Sequence, residues 1–373
     1  MQFSRIAIGL GLAATCAAAS GAWEPVTRER AFAEKPFRSA VVATFDSPWA
    51  MAFLPDGSIL VTEKAGKMTL LSADGARRTP VSGMPRVNAS GQGGLGEVVP
   101  DPHFSTNRRV YFSYATPGAP NGVVLACGKL AETAATVRLE GVRTLYRARP
   151  LTSGGHYAGR IAFSPDGHLF FSMGERQQFT PAQDRQGLLG KIVRLTSDGK
   201  PAPSNPFSAK GFDPAVWSYG HRNPLGLAFD GQGRLWEAEM GPQGGDEVNL
   251  ILPGRNYGWP LVSNGDHYGG RPIPDHSSRP DLEGPKVSWN PSISPSSLMI
   301  YSGRLFPQWR GKALLGALSG MLVLVDLGAE RAHETARYDM GERIRAVRQG
   351  PDGAVYLLED GAGGKLLKLT PAG

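Results

Sequence analysis

Residues 163–173 read FSPDGHLFFSM, and close copies of this stretch recur along the chain. An apolar residue precedes a turn containing Asp and Gly, and alternating apolar residues follow it. This order predicts a strand, a tight turn and a second strand. One copy alone predicts only a hairpin, so the recurrence carries the fold argument. The other copies are residues 53–63 (FLPDGSILVTE), 229–239 (FDGQGRLWEAE) and 349–359 (QGPDGAVYLLE).

A third strand follows three of the four copies and begins with Gly-Lys. These strands are residues 66–71, 190–195 and 364–369. A repeated unit of antiparallel strands is typical of a β-propeller. About 350 mature residues in blades of roughly 40–60 give about six blades. We therefore predict an all-β chain, a six-bladed β-propeller with four-stranded antiparallel blades. Residues 175–189 delay the third strand of one unit and are predicted to form an inserted loop, of the kind that often carries function.

The N-terminus has the composition of a secretory signal. Arg5 precedes the apolar residues 6–14, and small residues follow at 17–22. We expect a signal peptide over residues 1–22, a single propeller domain over 23–373, and a periplasmic or secreted protein. Lipid anchoring through Cys16 is the less favoured alternative. Cleavage near Ala22 leaves Cys127 without an intrachain partner, and we expect it to be a small buried residue.

The composition limits the classes of partner that this chain is expected to bind. The 373 residues are 41% hydrophobic and 20% charged, which is ordinary for a globular chain. The formal charge of +7 suits an acidic ligand, but the basic residues are scattered and no nucleic-acid-binding motif is present. Nucleic acid is therefore not expected as a partner. No other apolar run is long enough for a transmembrane helix, and the oligomeric state is left open.

His156 is the leading candidate for proton transfer. It lies among glycines directly before a predicted strand, so its imidazole would be presented from a loop at the rim. Glu175 follows the next strand, and a carboxylate there could hold one His nitrogen and fix the tautomer of the other. A structural His and a solvated Glu are the alternatives.

Several polar residues elsewhere could bind an anion. Gln92 lies in a glycine loop, and Arg343 and Arg345 alternate on one predicted strand, so they face the same side. Asp360 closes that hairpin and could orient an arginine. A carboxylate-binding wall and a solvated strand face both remain open for the two arginines.

The segment 219–260 brings together a cationic pair, a glycine-rich turn and an acidic pair. Arg222 and Asn223 come first, residues 241–245 read GPQGG, and Asp246 and Glu247 follow. Glycine and proline in a turn free backbone carbonyls, and carbonyls beside a carboxylate are ligands that Ca²⁺ prefers. A planar anionic cofactor held by an arginine and Ca²⁺ would fit here.

Three motifs in this segment are similar to a known family. They are residues 220–229 (GHRNPLGLAF), 241–249 (GPQGGDEVN) and 256–260 (NYGWP). From about residue 47 to 369 the chain resembles the soluble glucose/sorbosone dehydrogenases that depend on pyrroloquinoline quinone (PQQ), especially the bacterial aldose sugar dehydrogenases. The resemblance implies a six-bladed propeller that oxidises aldoses at the anomeric carbon to lactones. Hydride would pass to PQQ and electrons to an external acceptor.

The resemblance also implies roles for particular residues. His156 would take the proton of the anomeric hydroxyl, with Glu175 as its partner and Arg222 at the quinone oxygens. The cofactor would be bound by Gln92, His156, Arg222, Asn223, Ser292, Arg343, Arg345 and Asp360. Carbonyls of Gly241 and Pro242 would bind the catalytic Ca²⁺, and Glu247 with the carbonyl of Tyr257 would bind a second, structural Ca²⁺.

Three positions depart from the family pattern. Leu225 and Met240 replace polar residues of some relatives, and Ser319 stands where relatives usually carry a lysine that pairs with the cofactor. Two other functions therefore remain open. One is a Ca²⁺-dependent hydrolase such as a lactonase, which would need several carboxylates converging on the axis. The other is a non-catalytic extracytoplasmic binding propeller that has lost the cofactor.

Overall fold

The computed structural model describes residues 30–208 and 211–372. They form strands and very little helix, so the predicted all-β class is confirmed. The described residues contain one short α-helix, α1 (Phe104–Asn107). They also contain three 3-10 turns, Thr180–Gln183, His276–Ser278 and Pro307–Trp309. The predicted signal peptide over residues 1–22 and Cys16 lie outside the described residues.

The strands follow one another with few long connections. The first nine are β1 (Phe37–Asp46), β2 (Pro48–Phe53), β3 (Ile59–Glu63), β4 (Lys67–Leu71), β5 (Arg78–Ser82), β6 (Leu95–Pro100), β7 (Arg109–Ala115), β8 (Val123–Glu132) and β9 (Val137–Arg147). The next ten are β10 (Ala158–Phe163), β11 (Leu169–Met173), β12 (Lys191–Leu195), β13 (Val216–Tyr219), β14 (Pro224–Phe229), β15 (Leu235–Glu239), β16 (Gln243–Gly244), β17 (Asp246–Ile251), β18 (Gly265–Asp266) and β19 (Val287–Trp289). The last seven are β20 (Pro295–Ile300), β21 (Ala313–Ala317), β22 (Met321–Leu327), β23 (Ala332–Asp339), β24 (Ile344–Gln349), β25 (Val355–Glu359) and β26 (Ala362–Pro371).

Neighbouring strands in sequence pair antiparallel and build separate sheets. Three four-stranded sheets have the orders β10-β11-β12-β13, β14-β15-β17-β19 and β20-β21-β22-β23. A fourth has the order β1-β26-β25-β24, so the first strand pairs with the last. An eight-stranded sheet runs β2-β3-β4-β5-β9-β8-β7-β6, and a parallel contact between β5 and β9 joins its two antiparallel halves. Strands β16 and β18 form a small ribbon.

The predicted hairpins are confirmed in register. Phe163 pairs with Leu169 across the turn of residues 164–168, and Phe53 pairs with Ile59 in the same way. The copies at 229–239 and 349–359 form β14–β15 and β24–β25. Two units have no such turn and were not predicted. A segment containing α1 joins β6 to β7, and one containing the 3-10 turn Pro307–Trp309 joins β20 to β21.

The sheets close into a ring through their first strands. Contacts run from β2 to β6, β10, β14, β20 and β24, and back to β2. Apolar side chains fill the spaces between neighbouring sheets. For example, Val323 and Leu315 of one sheet cluster with Trp236 and Val248 of the sheet before it. This burial of sheet faces against each other is the main source of stability.

A buried ionic network lies where the first strands meet. Arg160 on β10 is 2% exposed, and its Nη1 donates to Oε2 of Glu97 on β6 at 2.8 Å. Its Nε donates to the carbonyl of Leu225 on β14, and Nη2 donates to that of Ser296 on β20. Its guanidinium also lies 4.0 Å from the ring of Trp49 on β2. One arginine therefore contacts four other first strands.

Two smaller expectations can be compared with the described residues. Cys127 is a free, buried cysteine, as predicted. No helix in the described ranges has the length and apolar character needed to cross a bilayer.

Candidate functional site

A cavity of about 400 Å³ opens at one end of the ring. At this end each first strand begins and each second strand ends, because the two run antiparallel. Loops before first strands and after second strands therefore converge from different sheets. The polar and charged residues that line the cavity are Ser47, Lys64, Gln92, His156, Tyr157, Gln177, Arg222, Asn223, Asp246, Tyr268, Ser292, Ser294, Arg343, Arg345 and Asp360.

His156 and Glu175 form a buried pair at the wall of the cavity. Nδ1 of His156 lies 2.5 Å from Oε1 of Glu175. The backbone amide of Phe179 donates to the second oxygen, Oε2, at 2.6 Å. A carboxylate accepts from Nδ1–H, so Nε2 keeps its lone pair and can accept a proton. The predicted carboxylate–imidazole pair is present.

The electrostatics favour a neutral imidazole in this pair. Burial lowers the pKa of His156, although the hydrogen bond that it donates to Glu175 opposes this. Burial also opposes ionisation of Glu175, but its hydrogen bonds and the nearby charges hold its pKa below the usual value. Near neutral pH the pair is therefore a carboxylate beside an imidazole that can act as a base.

Two glutamines hold the loop that carries His156. Oε1 of Gln92 accepts from the backbone amide of His156 at 2.7 Å, and Oε1 of Gln177 accepts from that of Gly155, also at 2.7 Å. A Cβ at position 155 would lie 2.7 Å from the Gln92 carboxamide, so a larger residue there would displace this side chain. His156 itself has φ 47°, a left-handed conformation uncommon outside glycine. These contacts fix the direction in which the imidazole is presented.

Arg222 lies two residues before β14, and its carbonyl accepts from the backbone amide of Glu175 at 2.9 Å. Its Nη1 donates to the carbonyls of Met240 at 2.9 Å and Gly241 at 2.6 Å. Its Nη2 lies 3.3 Å from the hydroxyl of Tyr268. The backbone amides of Arg222 and Asn223 both donate to Oε2 of Glu239. Of the two carbonyls expected to bind a cation, Gly241 and Pro242, that of Gly241 thus accepts from a guanidinium here.

Arg343 and Arg345 share one carboxylate. Nε of Arg343 donates to Oδ2 of Asp360 at 3.0 Å, and Nε of Arg345 donates to Oδ1 at 2.8 Å. Burial disfavours ionisation of Asp360, but the two arginines hold its pKa below the usual value. The predicted orientation of the arginines by Asp360 is present, and both guanidinium groups reach the cavity.

The glycine-rich turn at 241–245 is held by a buried carboxylate. Oδ1 of Asp246 accepts from the amide of Gly241 at 2.8 Å, and Oδ2 accepts from that of Ser294 at 2.6 Å. Burial raises the pKa of Asp246 to about 6 despite these bonds. The hydroxyl of Ser292 accepts from the amide of Gly244 at 3.1 Å. Asp246 and Ser292 therefore set the position of Gly241 and Pro242, which line the cavity.

A second, much smaller cavity of about 10 Å³ lies behind Arg222. We call it the acidic pocket, because Glu239 and Glu247 line it together with Tyr257 and His276. Burial, followed by the charge of Glu239, raises the pKa of Glu247 well above the usual carboxyl value. Its Oε2 has one long hydrogen bond, from Asn249 Nδ2 at 3.4 Å. A carboxyl group held this way favours a bound proton or a cation.

A further buried acid adjoins the acidic pocket. Glu237 is 0% exposed, and its Oε1 has no hydrogen-bond partner. Potential ligand atoms of His221, Glu237 and Glu239 lie within 4.8 Å of one another. His221 is also held without a metal, since its Nε2 lies 2.8 Å from Ser218 Oγ and its Nδ1 lies 3.4 Å from Glu239 Oε1.

The site residues predicted from the sequence line the two cavities, except Glu175 and Ser319. Gln92, His156, Arg222, Asn223, Ser292, Arg343, Arg345, Asp360, Gly241 and Pro242 line the main cavity. Glu175 lies behind His156, while Glu247 and Tyr257 line the acidic pocket. Of the departures, Leu225 and Met240 line the main cavity, whereas the Ser319 hydroxyl donates to the carbonyl of Ile293 at 2.5 Å.

Sequence reasoning missed several residues of both cavities. Lys64 and Tyr268 line the main cavity, and Glu239 and His276 line the acidic pocket. The Gly-Gly pair after Tyr268 was a usable loop signal. Glu239 ends a strand and resembles any strand-terminal acid, so its sequence context gave no comparable signal.

Comparisons with known proteins agree with this geometry. A sequence model described as glucose / sorbosone dehydrogenase matches residues 45–368. The aldose sugar dehydrogenase YliI of Escherichia coli is 40% identical over 337 residues, covering 87% of this chain and 90% of that protein. The crystal structure of the soluble aldose sugar dehydrogenase from Escherichia coli in the apo-form has a TM-score of 0.84 at 37% identity. It covers 90% of this chain and 99% of its own.

A second similar structure contains bound PQQ. It is the PQQ-bound form of aldose sugar dehydrogenase from Streptomyces coelicolor, with a TM-score of 0.73 and 30% identity. The match covers 91% of this chain and 99% of that chain. The family match spans most of the sequence, and the relatives are similar over nearly their full length. The chain belongs to the glucose/sorbosone dehydrogenase family of oxidoreductases.

Proposed function

We propose that this chain oxidises aldose sugars at the anomeric carbon to lactones, using PQQ as the hydride acceptor and an external electron acceptor. The observation that carries the proposal is the His156–Glu175 pair on the wall of a cavity lined by Arg222, Arg343 and Arg345. It places a base and several cations around one space of about 400 Å³. A base and an anion site are what this chemistry requires.

The cavity suits a planar anionic cofactor. Four cationic side chains line it, Lys64, Arg222, Arg343 and Arg345, against the two carboxylates Asp246 and Asp360. PQQ is a flat tricarboxylate, so this excess of positive charge favours it. Gln92, Asn223 and Ser292 add amide and hydroxyl groups that can bond its oxygens. When bound, PQQ would supply an electrophilic carbon for the hydride.

The chain's own residues would act on the sugar and on developing charge. Nε2 of His156 accepts the proton of the anomeric hydroxyl, and Glu175 stabilises the imidazolium that forms. The guanidinium of Arg222 would stabilise negative charge that develops on a bound cofactor. The sugar loses one proton and one hydride and becomes a lactone. Its two electrons leave to the external acceptor.

Calcium is proposed at both places where the structure gathers oxygen atoms. The carbonyl of Gly241 already accepts from a cationic group, Nη1 of Arg222, at 2.6 Å, so the turn attracts positive charge. Pro242 lies beside it on the cavity wall. Glu247 and the carbonyl of Tyr257 would hold the second Ca²⁺, in a pocket whose buried carboxylates form no ion pair with a lysine or arginine side chain among the described residues.

We also propose that the ring is a six-bladed propeller. The three single four-stranded sheets, the β1-containing sheet and the two halves of the eight-stranded sheet supply the blades. The closed ring of contacts among the first strands supports this count. One domain over residues 23–373, with export to the periplasm or secretion directed by residues 1–22, completes the proposal.

Reconstitution tests the function. Purified protein is treated with PQQ and Ca²⁺ and assayed against a panel of aldoses with an artificial dye acceptor. We expect dye reduction that needs PQQ and is lost after EDTA treatment. His156→Ala should abolish turnover and leave PQQ binding largely intact. Absence of PQQ binding by titration and spectrum would refute the proposal, and lactone hydrolysis without PQQ would favour the hydrolase alternative.

A further inference from the structure

Arg176 is a buried cation in the inserted loop, directly after Glu175. The residue is 1% exposed, and burial lowers its pKa. The hydrogen bonds of its guanidinium go to backbone carbonyls and to one side-chain amide oxygen, and among the described residues it forms no ion pair with a carboxylate. A buried charge without a counter-charge is costly unless hydrogen bonds satisfy it. The groups that these bonds hold in place therefore indicate what this arginine contributes.

The guanidinium contacts the residues on both sides of His156. Nε donates to the carbonyl of Gly155 at 2.8 Å, and Nη2 donates to that of Gly154 at 2.7 Å. On the other side of the histidine, the ring centroid of Tyr157 lies 3.7 Å from the guanidinium carbon, which is a cation–π contact. The same arginine thus holds the backbone before the imidazole and the side chain after it.

Asn121, which lies between β7 and β8, anchors this arrangement to another sheet. Its carbonyl accepts from Nη1 of Arg176 at 3.0 Å, and its Oδ1 accepts from Nη2 at 2.9 Å. The hydroxyl of Tyr157 donates to the same Oδ1 at 2.9 Å. Asn121 and Thr152 exchange backbone hydrogen bonds at 3.1 and 3.0 Å, which fixes the start of the segment that carries His156. Arg176 therefore connects this segment to a fixed point outside its own sheet.

The backbone around the imidazole is held in an uncommon conformation. His156 has φ 47°, and Arg176 and Gln177 have φ 63° and 59°. Left-handed conformations at residues other than glycine persist where surrounding contacts hold them. The contacts come from three consecutive residues: Glu175 bonds the imidazole, Arg176 bonds the carbonyls of residues 154 and 155, and Gln177 bonds the amide of residue 155. One short stretch of the inserted loop therefore sets the position of the imidazole.

We propose that Arg176 is a positioning residue for the His156–Glu175 pair. Its guanidinium holds the backbone of residues 154–155 and the ring of Tyr157, so that Nδ1 of His156 stays within bonding distance of Glu175 while the imidazole lines the main cavity. The inference rests on the proposed role of His156 as the base. A lysine would keep the charge, but it has no planar fork of donors that can bond two carbonyls and stack on an aromatic ring. The pair therefore needs an arginine at this position.

Arg176→Lys tests the proposal at constant charge. In the PQQ-loaded enzyme we expect kcat to fall about tenfold or more, because the displaced base is out of reach of its proton, and the Kd for PQQ to stay within about threefold. A second readout uses PQQ-free protein labelled with ¹⁵N in its histidine rings. The wild type should show a downfield Nδ1–H resonance, assigned to His156 by its absence from His156→Gln, and Arg176→Lys should lose this resonance.

Arg185→Lys is the matched control. Arg185 is an exposed arginine of the same inserted loop, and its guanidinium lies 5.7 Å from the ring of Phe212, so kcat and the resonance should both keep their wild-type values. A wild-type kcat or a retained resonance in Arg176→Lys would overturn the proposal.

Thermal unfolding checks that each variant is folded. If Arg176→Lys is not, Asn121→Ala replaces it, because this variant removes one acceptor of the guanidinium. The resonance of His156 should then shift, and an unmoved resonance would overturn the proposal in the same way. Because the NMR measurement needs no cofactor, failure of PQQ binding would refute the proposed function and leave this result standing.

Discussion

Glu97 and Glu247 are both buried glutamates, yet their surroundings are opposite. Glu97 is 1% exposed and bonds Arg160 at 2.8 Å and Arg348 at 2.9 Å. Burial opposes its ionisation, but the two arginines hold its pKa below the usual value. Glu247 has only His276 within ion-pair distance, and its pKa is raised well above the usual value.

The comparison distinguishes a buried charge that stabilises the fold from a buried charge that is able to bind a ligand. Glu97 is compensated by the chain itself and ties the first strands together. Glu247 has no lysine or arginine side chain within ion-pair distance among the described residues, so a bound proton or cation would have to neutralise its charge. Perturbed pKa values cluster at functional sites, and structural ion-pair networks such as that of Glu97 perturb them as well.

The largest expected effect is on the free energy of unfolding, and it follows from a substitution at Glu97. Glu97→Gln leaves Arg160 and Arg348 without a counter-charge, so we expect a loss of about 3–5 kcal/mol in the free energy of unfolding. Urea denaturation measures it. The matched control is Glu132→Gln, which breaks the partly exposed pair with Arg108 and should cost less than about 1 kcal/mol. A loss at Glu97 no greater than that of the control would contradict the comparison.

At Glu247, the expected effect is on how much a bound metal ion raises the free energy of unfolding. Ca²⁺ at about 100 times its dissociation constant should raise the free energy of unfolding of the wild type by about 2.7 kcal/mol. Glu247→Gln should abolish most of this gain, because the ligand charge is gone. Denaturation in Ca²⁺ and in EDTA gives both values, and an equal response of the two proteins would show that the cation binds elsewhere.

Without a cation, the pH dependence at Glu247 should have an unusual sign. A raised folded-state pKa means that the folded chain holds a proton that the unfolded chain has released. The stability of the EDTA-treated wild type should therefore fall as pH rises above the ordinary carboxyl range. In Glu247→Gln this slope should be smaller. Denaturation at a series of pH values measures it, and a slope unchanged by the substitution would refute the assignment.

Glu175 lies between the cases of Glu97 and Glu247, because it has a partner within the chain but that partner is the imidazole of His156 and not an arginine. Glu175→Gln should lower kcat of the PQQ-loaded enzyme about tenfold, since a carboxylate no longer stabilises the imidazolium. Glu175 raises the pKa of His156, so its loss should move the acid limb of the kcat/KM profile to lower pH. Asp184→Asn, in the same inserted loop, is the control and should leave the profile unmoved. An acid limb at the wild-type pH in Glu175→Gln would mean that the pair does not set this titration.

The smallest expected effect is that of adding a positive charge at position 319, near the rim of the main cavity. Ser319 follows Leu318, whose carbonyl accepts from Arg343 at 3.3 Å at the rim. Ser319→Lys should tighten PQQ binding by about 1 kcal/mol, the value of one partly exposed ion pair. Ser319→Met, of similar length and neutral, separates charge from bulk. Equal PQQ titrations for the two variants would show that charge at this position is unimportant.

Local patterns predicted much of the fold and the main cavity. Turns containing Asp and Gly identified four hairpins, and His156, Glu175 and Arg222 stood out because they flank strands. The units around β6–β9 and β20–β23 were missed because their connections lack that turn. Glu97 and Arg160 lie within strands of different sheets, and only the closed ring brings them together. His276 was missed for the same reason, since its pocket is assembled from distant segments.

The pairing of β1 with β26 has a consequence for biogenesis. Phe37 is opposite Pro371, so the last sheet needs both extremes of the described chain. Until β26 is present, β1 has no partner in the last sheet and that sheet stays incomplete. Truncations that remove β26 should therefore leave β1 and β25 with unpaired edges and should aggregate rather than yield a smaller folded ring.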